Sequence, residues 1–266
     1  MLSFDYIKTD SLDAATMLLR ERENATPIAG GMTLLPTIRQ GLADPSLLVD
    51  VSAIPGLDTI EIDDTGINVG AMARHADVAS SAVLQASLPA LAGLAAGIGD
   101  PQVRNCGTVG GSIANADPAA DYPAAVLALD AAIRTTERTI AADEFFTGLF
   151  ETALHPNELI AAIRFSRPRR AAYTKFAAAA SGYAIVGVFV AEFAGGVRVA
   201  VTGAGPNVFR LSEAEAALAC DFRPDSVLDI YPDAAGLNTD IHAEAAYRAH
   251  LTNVMLRRAV KAAVAA

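Results

Sequence analysis

Two stretches combine paired glycines with neighbouring hydroxyls. The first reads Ala29-Gly30-Gly31-Met32-Thr33-Leu34-Leu35-Pro36. It follows a strand-like segment and opens a helical pattern. Glycine lets the backbone adopt positive φ and approach a ligand closely. Successive exposed N–H groups at such a turn make an anion site. Thr33 adds a hydroxyl donor, so the chemistry on offer is phosphate binding. An ordinary strand-to-helix turn uses the same residues, and a short motif alone does not separate the two readings.

The second stretch occupies residues 107–121 and contains Thr108, Gly110, Gly111, Ser112 and Asp121. It has the same ingredients in an apolar setting. Two such loops can grip two phosphates, as a dinucleotide requires. Neither is a Rossmann fingerprint, because neither reads GxGxxG after the first strand of a βαβ unit. Gly203-Ala204-Gly205 lacks the third glycine and falls late in the chain, so it reads as a turn.

Other polar residues give no catalytic constellation. His75, His155, His242 and His250 are scattered, without HExxH or paired-carboxylate spacing. His75 reads as a surface or loop residue, and His242 and His250 flank the start of the last helix. No Ser–His–Asp arrangement is legible. Cys106, just before the second loop, reads as a small buried thiol. Two cysteines cannot by themselves build a zinc site, an iron–sulfur cluster or a disulfide scaffold.

The elements that must position these loops alternate. Residues 1–51 read as strand, helix, strand, helix, strand, with Ser11 as N-cap of the first helix. That pattern predicts a small, mostly parallel unit. Pro55-Gly56 breaks it. Residues 58–62 and 67–69 read as a hairpin around Asp63-Asp64-Thr65-Gly66. Helices are expected at 76–85, 89–98 and 119–129, a hairpin at 132–141 and a strand at 158–165. The polar segment 164–170 carries Pro168 and marks a domain boundary. Beyond it, residues 171–178, 184–193 and 197–204 read as an antiparallel meander, followed by helices at 211–219 and 243–263.

Composition sets the outer limits. The chain has 266 residues, 52% of them hydrophobic and 19% charged, so it folds around a substantial core. A formal charge of −10 argues against nonspecific nucleic-acid binding. The N-terminus has no basic leader, and the longest apolar runs are too short to span a bilayer. A soluble cytoplasmic protein with no membrane span is expected.

The glycine loops and their flanks give the sequence a family likeness. Those flanks include Phe4-Asp5-Tyr6, Ile98-Gly99-Asp100-Pro101-Gln102-Val103-Arg104-Asn105 and Glu158-Leu159-Ile160. They continue with Lys175-Phe176, Ser181-Gly182-Tyr183-Ala184, Tyr247-Arg248 and Arg257-Arg258-Ala259. Over nearly its whole length the chain resembles the FAD-binding medium subunit of the molybdenum hydroxylases. That family includes carbon monoxide dehydrogenase and the flavin domain of xanthine dehydrogenase. Met32 departs from the polar residue common there, and Ser112 stands where Asn is also common. No four-cysteine insertion is present.

The resemblance implies an α+β fold. Residues 1–168 would form an FAD-binding domain of the vanillyl-alcohol-oxidase (PCMH) type, with subdomains of about 1–54 and 55–168. Residues 169–266 would form a small C-terminal domain of three-stranded antiparallel sheet plus helices. By similarity, Ala29, Gly30, Gly31, Met32, Thr33 and Leu34 contact FAD, as do Thr108, Gly110, Gly111 and Ser112, largely through backbone amides to the pyrophosphate. Asp121, Ile160 and Lys175 match cofactor-contacting positions, and Tyr183 matches a tyrosine near the isoalloxazine ring. From the residues alone, Asp121 is equally a helix cap, Lys175 a solvated strand residue and Tyr183 a core tyrosine.

The implied function is electron transfer. A small subunit with [2Fe-2S] clusters and a large subunit with the molybdenum cofactor would complete the complex, as a dimer of heterotrimers. The lack of a nucleophile or base in this chain suits that role, because the flavin carries the redox chemistry. A free-standing flavin oxidoreductase and a structural subunit without FAD are the alternatives.

Overall fold

Three sheets and a two-stranded ribbon organise the computed structural model, which describes residues 4–64 and 66–265. The first sheet is parallel, with Leu47–Asp50 between Asp5–Lys8 and Ala25–Ile28. Its central strand is buried along its length, which is why Leu47, Leu48 and Val49 run together without alternation. Helix Leu12–Glu21 covers one side through Ala15 and Leu19. Ser11 caps it, its hydroxyl accepting from the Ala14 N–H at 3.3 Å. Helix Leu34–Arg39 covers the other side through Ile38, packed with Ile28 and Leu48.

The second sheet is antiparallel and five-stranded. Its order is Ile60–Asp63, Gly66–Gly70, Ile160–Phe165, Ala132–Thr135, Thr139–Ala141. Both expected hairpins are present. Thr65, which the sequence reading assigns to the turn of the first, lies outside the described residues, as do residues 1–3 at the start of the alternating region. Short helices pack on this sheet. The single helix expected at 76–85 is two, His75–Ser80 and Ala82–Ser87. Ser81 interrupts it with an extended backbone and caps the second piece, accepting from the Leu84 N–H at 3.3 Å. Pro89–Ala96, Pro101–Cys106, Val109–Asn115 and Tyr122–Ala128 follow. Proline opens two of them at a position whose N–H has no helical partner.

The third sheet corrects the three-stranded expectation. It has four antiparallel strands: Arg170–Ala177, Ala184–Phe193, Gly196–Thr202 and Phe209–Arg210. The fourth is two residues long, too short to leave a period in the sequence. Alternation splits the second strand between two cores. Phe189 and Ala191 face the helices of the preceding region. Val186, Val188 and Val190 face helices Ser212–Cys220 and Ala245–Ala265. Burial on both faces explains the unbroken apolar run. Among the described residues, no helix is long and apolar enough to cross a membrane.

Candidate cofactor site

A cleft of about 650 Å³ opens where the first sheet, the second glycine stretch and the turn at residues 181–183 meet. Every residue nominated from the sequence lines it except Lys175.

The first loop leaves the strand Ala25–Ile28 and enters helix Leu34–Arg39. Gly31 needs its glycine for conformation, with φ of +68°. Gly30 needs it for space: an added Cβ would lie 1.9 Å from the Cys106 carbonyl oxygen. That close approach is to protein backbone, not to a ligand. Among the described residues, the N–H groups of Gly30, Gly31, Met32, Thr33 and Leu34 donate to no protein acceptor. The Thr33 hydroxyl makes no cap bond either. Five unsatisfied donors along one loop form a cradle for an anion.

The second stretch is built differently. Its glycines lie inside helix Val109–Asn115, with Thr108 as N-cap. The N–H groups of Val109 and Gly110 donate to the carbonyls of Ala73 and Ala71, at 3.0 and 2.8 Å. The Ser112 N–H goes to the Thr108 carbonyl, and the Gly111 N–H goes to the Thr108 hydroxyl at 3.1 Å. The two stretches thus differ: the first offers a run of open amides, whereas in the second, among the described residues, the N–H groups of Val109 to Ser112 are engaged within the protein and that of Thr108 is open. Gly110 lacks a side chain because a Cβ would meet Ala71 at 2.6 Å. Gly111 is exposed, so a ligand can approach it.

Asp121 stands before helix Tyr122–Ala128 but makes no cap bond. Its carboxylate instead accepts from the Tyr173 hydroxyl and from Lys175 Nζ at 3.0 Å. Burial holds the Asp121 carboxyl above the usual carboxylate range, against the opposing pull of Lys175 and Tyr173. Lys175 is not a solvated strand residue: its side chain is 11% exposed. Ile160 begins the central strand of the second sheet and presents its apolar side chain to the cleft. Tyr183 is half exposed, and burial with nearby Asp117 and Asp121 raises its phenol above the ordinary value. It is therefore a wall of the cleft, not a core tyrosine.

Several placements depart from the sequence reading. Cys106 is exposed, not buried, and Cys220 is exposed too. His75 is buried and opens helix His75–Ser80, with its ring 5.4 Å from that of Tyr122. Desolvation, with the Arg104 charge, depresses its pKa to about 4. His75 Nδ1 and the Tyr122 hydroxyl are both buried without a hydrogen-bond partner among the described residues. His155, scattered in sequence, meets Glu137 at 3.1 Å and Glu158 at 3.8 Å. Arg20 pairs with Glu137 Oε1 and Arg138 with Glu158 Oε1, so two arginines already balance the charge of these carboxylates.

The residues present fit a flavin dinucleotide. The open amides suit a pyrophosphate, and they need no basic cluster to do so. The cleft has the volume of a cofactor site and walls that are mainly apolar. Tyr183 supplies an aromatic surface.

Comparison with known proteins gives the same direction. The family of the FAD-binding domain in molybdopterin dehydrogenase matches residues 2–168. The chain is 35% identical to the 6-hydroxypseudooxynicotine dehydrogenase complex subunit alpha of Paenarthrobacter nicotinovorans, over 98% of this chain and 95% of the relative. It is 33% identical to the carbon monoxide dehydrogenase medium chain of Hydrogenophaga pseudoflava, over 98% and 96%. A solved carbon monoxide dehydrogenase from that organism superimposes with a TM-score of 0.91 at 34% identity, covering 99% of this chain and 98% of that one. Quinoline 2-oxidoreductase from Pseudomonas putida superimposes with a TM-score of 0.89 at 26% identity, over 99% and 97%. Family match, full-length relatives and open-amide cleft agree: this chain belongs to the family of FAD-binding medium subunits of the molybdopterin dehydrogenases.

Proposed function

We propose that this chain is the FAD-carrying electron-transfer subunit of a heterotrimeric molybdenum hydroxylase. The observation that carries the reading is the run of unsatisfied N–H groups from Gly30 to Leu34 at the edge of the 650 Å³ cleft. When bound, FAD supplies the redox group between iron–sulfur clusters on a small partner subunit and an external acceptor such as NAD, a quinone or oxygen. The large partner would hold the molybdenum cofactor and choose the substrate, and two such heterotrimers would pair.

In this reading each part of the cleft has a task. The amides of the first loop hold the pyrophosphate. Gly111 lets the cofactor approach the second stretch, where the Ser112 hydroxyl adds a polar contact. Ile160 and Tyr183 flank the ring system and limit water there. Substrate chemistry is assigned to the partner because the buried carboxylates on the cleft are already engaged, Asp121 by Lys175 and Tyr173 and Glu158 by Arg138 and Thr135, while burial and the Arg104 charge make His75 a weak base. The family match ends at residue 168, which supports a chain divided there into a PCMH-type flavin domain and a smaller C-terminal domain.

The test is purification of the chain alone and with the products of neighbouring genes, followed by the visible spectrum and the mass of the released cofactor. Stoichiometric FAD that bleaches on addition of the complex's substrate supports the proposal. A complex without flavin overturns it in favour of a structural subunit.

A further inference from the structure

We infer that His75 is a further cofactor-contacting residue, donating from Nε2 to a phosphate oxygen of the diphosphate that the first loop holds. The inference rests on the cofactor reading above. His75 is 5% exposed, yet it lines the cleft. Its two ring nitrogens differ. Among the described residues neither has a protein partner, but only Nδ1 is sealed from solvent. Nε2 is therefore the nitrogen on the cleft side.

Its surroundings place it beside the anion cradle. Nε2 lies against Gly107, where an added Cβ would come within 2.6 Å of it. Gly107 in turn touches the first loop: a Cβ on Gly30 would come within 2.9 Å of the Gly107 α-carbon. The imidazole and the open amides that begin at Gly30 thus flank one glycine. The open N–H of Thr108 adjoins it. Backbone pairing holds the ring there, because the His75 N–H donates to the Gly107 carbonyl at 3.0 Å and Arg74 bridges to Thr108.

Protonation decides what the ring offers. Burial and the Arg104 charge keep it neutral at neutral pH, with one N–H to place. On Nδ1 that N–H would be an orphaned buried donor, which folded proteins avoid more strictly than a bare acceptor. The proton therefore belongs on Nε2, where an anion in the cleft can accept it. A neutral donor matches the neutral amides of the loop and buries no charge.

The test reads FAD affinity of the full chain by flavin fluorescence. The amide nitrogen of Asn reaches as far as Nδ1, and that of Gln as far as Nε2. His75→Asn should raise the Kd for FAD about tenfold, and His75→Gln by less than about threefold. Nitrogen NMR of labelled histidine in the unmutated chain should find the His75 proton on Nε2. That signal should move with FAD and with ADP, which carries the diphosphate without the flavin, and stay still with adenosine. Equal losses in the two variants, no loss in His75→Asn, a proton on Nδ1 or a signal blind to ADP would overturn the inference. The NMR arm decides the case even where a variant does not fold. If neither the wild-type chain nor its complex binds FAD, the cofactor reading fails and this inference with it. FAD binding without these effects overturns this inference alone.

Discussion

The α-carbon of Gly30 sits so close to the carbonyl of Cys106 that any side chain would overlap it, at 1.9 Å from the oxygen. The two glycine stretches are thus packed backbone on backbone, and their separation fixes the cleft.

Gly30→Ala must push the loops apart. It should cost about 1–3 kcal/mol of stability and abolish FAD retention. Gly111→Ala is the control. Its Cβ would meet the Thr108 hydroxyl at 2.9 Å and Ala29 Cβ at 3.9 Å, no backbone, and alanine suits a helix better than glycine. It should change stability by less than about 1 kcal/mol while weakening FAD binding. Denaturant unfolding and flavin titration of both variants check this.

Lys175 and Asp121 are a buried ion pair, with side chains 11% and 5% exposed. Removing one partner leaves the other charge buried and unpaired. Lys175→Met should therefore destabilise by about 3–5 kcal/mol, and Asp121→Asn in the same chain should recover most of the loss. Failure of the second change to rescue the first, measured by urea unfolding, would show that the loss comes from packing more than from the unpaired charge.

His75 links folding to pH. Its folded pKa of about 4 lies below the ordinary value of 6.5. Between these values the unfolded chain binds the extra proton. The contribution of His75 is therefore complete above pH 6.5 and is lost as pH falls towards 4. The amount is about 3 kcal/mol over that range. His75→Phe should flatten the stability profile between pH 6.5 and 4 relative to wild type. Parallel profiles would mean that the imidazole titrates normally in the folded protein.

Tyr122 buries a hydroxyl with no partner among the described residues. Tyr122→Phe removes that desolvated group without leaving a donor or acceptor behind. It should leave stability unchanged or raise it by about 1 kcal/mol. A loss of more than about 1 kcal/mol in thermal or denaturant unfolding would reveal a bond to the hydroxyl, with His75 Nδ1 as the neighbouring acceptor.

Local chemistry made the elements and the site's location legible in the sequence. Ser11, Pro89 and Pro101 announce helix starts because caps and proline act within one turn. Two hydroxyl-flanked glycine pairs and a family likeness were enough to mark the cleft. Tertiary structure decided what each residue does there. Whether an amide is open or satisfied depends on which carbonyl faces it, so sequence could not tell the free donors of Gly30–Gly31 from the engaged donors of Gly110 and Ser112. The burial of His75, the exposure of Cys106 and the meeting of His155 with Glu137 and Glu158 all come from segments distant in the chain. The three bonds of Lys175 reach 78, 54 and 7 residues along the sequence. Local pattern carries no record of such pairings, because they form only when separate sheets and helices pack around one cleft.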